Sequence, residues 1–151
     1  MAWSEWRRWR RALLVVVLVV AGAAARAEGD EDTDVVPLDI TILRVSDEPG
    51  EMDPRVERVD RLLRGQIAYQ SLSIVDVHRR EVPLNEVWTL ALPTGRSLQL
   101  RPLGLDKSGL LLSLDVEDGL QGDFRVRPGQ PLIVGGPRLG EDKLVLVVES
   151  R

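Results

Sequence analysis

The sequence predicts a mainly β, α+β fold: an antiparallel β-sandwich or flattened barrel of about seven to eight short strands, with one amphipathic helix over residues 54–64. Three observations carry that expectation. Between residues 84 and 127 apolar and polar residues alternate with a period of two, as in strands with one face buried and one wet. The runs are short and cut by turn formers, with 13 Gly and 9 Pro in 151 residues. Only one stretch, Pro54 to Arg64, repeats its apolar residues at a helical spacing.

The first 27 residues stand apart from this fold. Arg7, Arg8, Arg10 and Arg11 precede an apolar run, Ala12 to Ala25, that closes on Ala25-Arg26-Ala27 ahead of Glu28. A basic end, an apolar middle and a small-residue site read as a secretory signal peptide cleaved near Ala27. The apolar run is shorter than the ~20 residues that span a bilayer, so no stable membrane insertion is expected after cleavage. The mature chain is expected in the periplasm or outside the cell. Residues 28–34 hold five acids and are expected to form a disordered N-terminus, which leaves residues 35–151 as a single β-rich domain.

Cleavage alters the charge. The segment removes five arginines and one glutamate, moving the formal charge from −4 to −8. It also removes Trp3, Trp6 and Trp9, leaving Trp88, Tyr69 and Phe124 as the aromatic residues. Nucleic-acid binding needs basic surface and stacking rings, so no nucleic-acid partner is expected.

Val35 to Ser46 is β-branched and apolar enough for a first strand, broken by Asp47-Glu48-Pro49-Gly50. Asp53 then stands as an N-cap with Pro54 in the first helical position. Val56, Val59, Leu62 and Leu63 form the apolar stripe of the helix, and Gly65 is its expected stop. Tyr69 to His78 reads as a strand whose apolar parity changes at Ile74-Val75, the sign of a bulge or of burial on both faces. Leu84, Trp88, Leu90 and Leu92 share a face, and Pro93-Thr94-Gly95 turns the chain. Leu98 and Leu100, then Leu110, Leu112, Leu114 and Val116, mark two further strands. Asp118-Gly119 turns into Phe124 and Val126, and Pro128-Gly129 turns into a strand from Pro131 to Val134. Gly135-Gly136-Pro137 reads as a structural turn before the closing strand, Lys143 to Glu149.

The chemistry the chain can perform is bounded by what it lacks. It has no Cys, which excludes disulfides, thiol nucleophiles and Cys-ligated metals, and it has a single His. Asp76-Val77-His78 places a carboxylate and the imidazole on one face of a strand. A small hydrolase would use that pair with Ser71 or Ser73, yet both serines have the opposite parity unless a bulge intervenes. Asp115, Glu117, Asp118, Glu141 and Asp142 lie at turns and outward positions, where carboxylates stay solvated. A ligand- or metal-ion-binding role would rest on these acidic turns. No catalytic, cofactor-binding or metal-ligating residue is assigned.

Val126-Arg127-Pro128-Gly129-Gln130-Pro131-Leu132-Ile133-Val134-Gly135-Gly136 resembles the V-x-D-G-Q-T-x-x-I-G-G-L segment of outer-membrane secretins. Leu98-Gln99-Leu100-Arg101-Pro102, Ser108-Gly109 and Leu110 to Glu117 resemble the strands ahead of it in that family. Pro128, Pro131 and Pro137 depart from the family's Asp, Thr and Leu. The chain is also too short for a secretin's modules and membrane-spanning hairpins. The resemblance implies a related β-module working beside such a machine. The chain is also similar to small exported β-rich proteins of Gram-negative bacteria. The expected function is a non-catalytic periplasmic interaction module, accessory to an envelope secretion or pilus assembly, with an envelope protein as partner. Its expected interaction edges are Val126, Gln130, Leu132 and Val134 in one segment, and Leu144, Leu146 and Val148 in the closing strand.

Overall fold

A computed structural model of the chain describes residues 34–151. The expected signal segment and all of the acidic stretch except Asp34 lie outside the described residues.

Eight strands form two four-stranded antiparallel sheets. The strands are β1 (Val35–Ser46), β2 (Ser71–Pro83), β3 (Trp88–Ala91), β4 (Ser97–Asp106), β5 (Gly109–Val116), β6 (Gln121–Val126), β7 (Leu132–Leu139) and β8 (Asp142–Ser150). The first sheet runs β2-β1-β8-β7 and the second β3-β4-β5-β6. Consecutive strands pair within each sheet, except that β1 reaches across to β8, so the last strand of the chain is central.

The period-two pattern becomes the core directly. Val36, Leu38, Ile40 and Ile42 of β1 and Leu144, Leu146 and Val148 of β8 point at the second sheet. They meet Trp88, Leu90, Leu98, Leu100, Leu110, Leu112, Leu114 and Val116 in one buried cluster. Each such Leu or Ile contributes roughly 1.5–3 kcal/mol by leaving water. This aliphatic sandwich core needs no cross-link.

A second cluster covers the other face of the first sheet. Leu43, Val45, Leu72, Val145 and Val147 lie under the helix and touch its Val56 and Leu63. The helix begins as a 3-10 turn, Pro54–Val56, and continues as α1 (Glu57–Leu63). Asp53 caps it as expected, its side chain accepting the Arg55 N–H at 2.9 Å. Gly65 is not the stop: it has no positive φ, and the chain leaves through a turn in which Gln66 and Ile67 N–H both donate to the Leu63 carbonyl.

Two further elements, β2 and β7, differ from the sequence reading. β2 starts at Ser71 and continues past His78 to Pro83, because its second half pairs with β1 through charged and polar residues. The parity change at Ile74-Val75 is the bulge that the sequence offered: Val75 has no partner between the pairs Leu43–Ile74 and Ile42–Asp76. The Asp118-Gly119 turn between β5 and β6 forms as expected, with Asp118 in the left-handed region (φ 56°). Gly135-Gly136-Pro137 is no turn. It lies inside β7, where Gly136 and Pro137 together oppose Leu144 in a second bulge.

Candidate functional site

Each open sheet has two free edges, where backbone N–H and C=O groups face outward without a strand to take them. Here the edges are β2 and β7 in one sheet and β3 and β6 in the other. They are not equivalent.

β2 is long, 13 residues, but blunted. Its bulge at Val75 interrupts the edge. Beyond the bulge Asp76, His78 and Arg80 stand opposite Ile42, Ile40 and Leu38, on the inward-facing side of the strand. Inward charges and a bulge are devices that keep a further strand away. His78 Nε2 is buried and lies 3.0 Å from Asp76 Oδ2, without the alignment of a hydrogen bond. Asp76 Oδ1 accepts instead from the Val77 N–H at 2.8 Å. The bulge also restores parity, so Ser71 and Ser73 share the face of Asp76 and His78. Among the described residues no serine hydroxyl hydrogen-bonds to His78, and the pair sits on a sheet edge with the Asp76 side chain 52% exposed. The structure brings the acid and the imidazole together without a poised nucleophile.

β3 is four residues long, uncharged and unbulged. β6 has six residues and exposes Asp123 and Arg125, the latter paired with Asp106 at 3.0 Å. β7 divides in two at its bulge. The second half contains Pro137, which has no N–H to offer, and Arg138. The first half, Leu132-Ile133-Val134-Gly135, carries no charge, no proline and two β-branched residues. Like β3 it is a four-residue uncharged, unbulged edge.

Beside the start of that segment lies a groove of about 620 Å³ between α1 and the β6–β7 turn. Arg58, Arg61 and Leu62 line it from the helix, and Gly129, Gln130 and Pro131 from the turn. Arg58 ties the two walls together by donating to the Gly129 carbonyl, and lies 3.5 Å from Glu149. Arg61 is freer: its nearest acid, Glu57, is 3.9 Å away and itself exposed. Leu62, expected in the buried stripe, is 45% exposed because the helix turns it away from the sheet and toward this groove.

The two expected interaction segments part company. Val126 closes β6 in the core, Gln130 is exposed in the turn and bridges back to Arg127, and Leu132 and Val134 belong to the free half of β7. Leu144, Leu146 and Val148 offer no edge. β8 is hydrogen-bonded on both sides, to β1 and β7, and these three side chains are wholly buried. The signal was present: Val145 and Val147, at the alternate positions, are aliphatic too, and an unbroken aliphatic run marks a strand covered on both faces.

Two of the acidic-turn carboxylates serve the fold. Glu117 accepts the Ser97 N–H at 2.8 Å and the Ser97 hydroxyl at 3.1 Å, which holds its carboxyl below the usual range. Asp142 is held low by the Ser46 hydroxyl and then by Arg44. Among the described residues no three carboxylate or imidazole groups gather at one point as metal ligands would, and no helix is long and apolar enough to cross a membrane.

The chain matches no family model, no curated protein and no solved structure.

Proposed function

We propose that this chain is an exported, non-catalytic interaction module that holds an envelope protein by adding one of its extended segments to the free half of β7. The observation that carries this reading is the pairing of an uncharged, unbulged half-edge, Leu132 to Gly135, with the open groove beside its first residue: β2 is bulged and β6 charged, and β3, equally short and uncharged, is not among the residues that line that groove. The secretin-like segment, Val126 to Gly136, contains this edge, which favours a partner in an envelope secretion or pilus assembly. Main-chain hydrogen bonds supply affinity in such a mode, and side-chain pockets beside the strand supply selectivity.

Gly135→Lys tests it. Gly135 has no positive φ and open space around a built Cβ, so the fold tolerates the side chain while the edge gains a charge. Affinity capture from the native envelope should return a secretion or pilus component with the natural protein and lose it with Gly135→Lys. Capture that is indifferent to Gly135→Lys would remove β7 from the interface.

A further inference from the structure

Resting on strand addition at β7, we infer that the incoming segment is a stretch of another protein that is apolar or neutral over about four residues and acidic on its flanks. The free half-edge is uncharged, but cations stand at both of its ends. At the Leu132 end the groove presents Arg58, which lies 3.5 Å from Glu149, and Arg61, 3.9 Å from the exposed Glu57, beside the apolar Leu62 and Pro131. At the Gly135 end Arg138 and Lys143, both exposed, are cross-strand partners in the β7–β8 register. A strand laid along Leu132 to Gly135 overhangs into one cationic site at each end, whichever direction it runs. Carboxylates there meet the exposed Arg61, Arg138 and Lys143 side chains, while Arg58 stays tied to Gly129 and Glu149, and their alkyl neighbours cover Leu62.

The same charges argue against a second copy of this chain as the occupant. A twofold contact repeats every pairing symmetrically. Antiparallel pairing of β7 with itself about Ile133–Val134 sets Arg138 of one copy across from Gly129 of the other, beside Arg58 and Arg61. That juxtaposes like charges at both ends of the contact. The half-edge is thus open to an acidic-flanked strand and guarded against itself.

The probe is a pair of synthetic peptides with a five-residue valine–threonine core, flanked at both ends by two glutamates or by two lysines, with both termini capped. Fluorescence anisotropy against the purified protein should show the glutamate peptide binding about threefold to tenfold tighter than the lysine peptide, the scale of a few exposed ion pairs. Arg61→Glu, at a side chain 72% exposed and remote from the core, should erase or invert that preference, and Arg138→Glu should do the same independently. Gly135→Lys should abolish binding of both peptides. Equal binding of the two peptides, lost in Gly135→Lys, overturns the acidic partner and leaves strand addition standing. No binding of either peptide overturns both. A stable dimer in sedimentation that dissociates in Gly135→Lys overturns the inference by making a second copy the occupant.

Discussion

Gly136 in β7 lies directly against Leu144 in β8: a Cβ built on the glycine would be 3.1 Å from the Leu144 Cβ and 3.2 Å from its carbonyl oxygen. This close approach lets two residues of β7 face one of β8, and so creates the bulge that separates the free half of the edge from the blunted half. Leu144 is wholly buried in a strand paired on both sides, so it has little room to yield. Gly136→Ala should therefore cost about 1–3 kcal/mol through overpacking. Gly135→Ala, one residue away with nothing within 4 Å, should be neutral or stabilise by up to ~1 kcal/mol by restricting the unfolded chain. Urea unfolding of the two variants checks this, and equal effects would deny Gly136 its role in the bulge.

Across the sheet, Asp142 at the start of β8 joins Arg44 on β1, 98 residues earlier in the chain, and accepts from Ser46. The hydroxyl and then the guanidinium favour its ionised form, so its carboxyl titrates lower folded than unfolded. The stability from this contact is present above the unfolded carboxylate value and is lost as pH falls through the lower folded one. Asp142→Asn should unfold at lower denaturant than the natural protein at pH 7. The difference between the two should shrink below about pH 4. A gap that persists unchanged in acid would show that the contact acts through packing rather than charge.

How much of this was legible beforehand depends on which periodicity a residue obeyed. Leu98, Leu100, Leu110, Leu112, Leu114 and Val116 alternate with residues that are polar except for Leu111, and landed in the core as their parity required. The bulge at Val75 was foreshadowed by the break in that parity. Residues serving two surfaces were harder to read. Leu144 to Val148 face both clusters, so alternation vanishes and a central strand resembles an exposed apolar one. β2 runs on past the expected end at His78 through Arg79, Arg80 and Glu81, and three charged residues in a row gave no apolar sign of it. Gly136-Pro137 carried turn chemistry but sits in a bulge, because β7 is an edge and needs no N–H from Pro137 there. The groove was hidden because it joins α1 to a turn 71 residues away.

The helix offers a paired test of what periodicity alone leaves open. Leu62 and Leu63 both belong to the apolar set, yet Leu63 is 3% exposed against the first sheet and Leu62 is 45% exposed. Leu63→Ala should cost roughly 2–4 kcal/mol by opening a cavity over Leu43 and Val145. Leu62→Ala should change stability by no more than about 0.5 kcal/mol. Thermal or urea unfolding separates the two, and comparable losses would place Leu62 in the core instead of the groove.

Below the same helix, the Tyr69 hydroxyl donates to Asp60 Oδ1 at 2.5 Å, while Asp60 also takes the Arg64 guanidinium at 2.8 Å. Burial pushes the phenol up to about 12, and the Asp60 carboxylate that it donates to pushes the same way. The folded state holds this proton more tightly than the unfolded chain, whose phenol titrates near pH 10. The resulting stability is fully present below about pH 10 and is lost as pH rises through about 12, a loss on the order of 2 kcal/mol. Because Tyr69 is the chain's only tyrosine, phenolate absorbance reads this one group without deconvolution. Its titration midpoint should lie well above 10 in the folded protein and return toward 10 in denaturant. Tyr69→Phe should lose about 1 kcal/mol at pH 7 for the missing hydrogen bond, and should abolish this part of the alkaline decline. A phenolate midpoint near 10 in the folded protein would mean that Tyr69 stands in water and that α1 is held by Val56 and Leu63 alone.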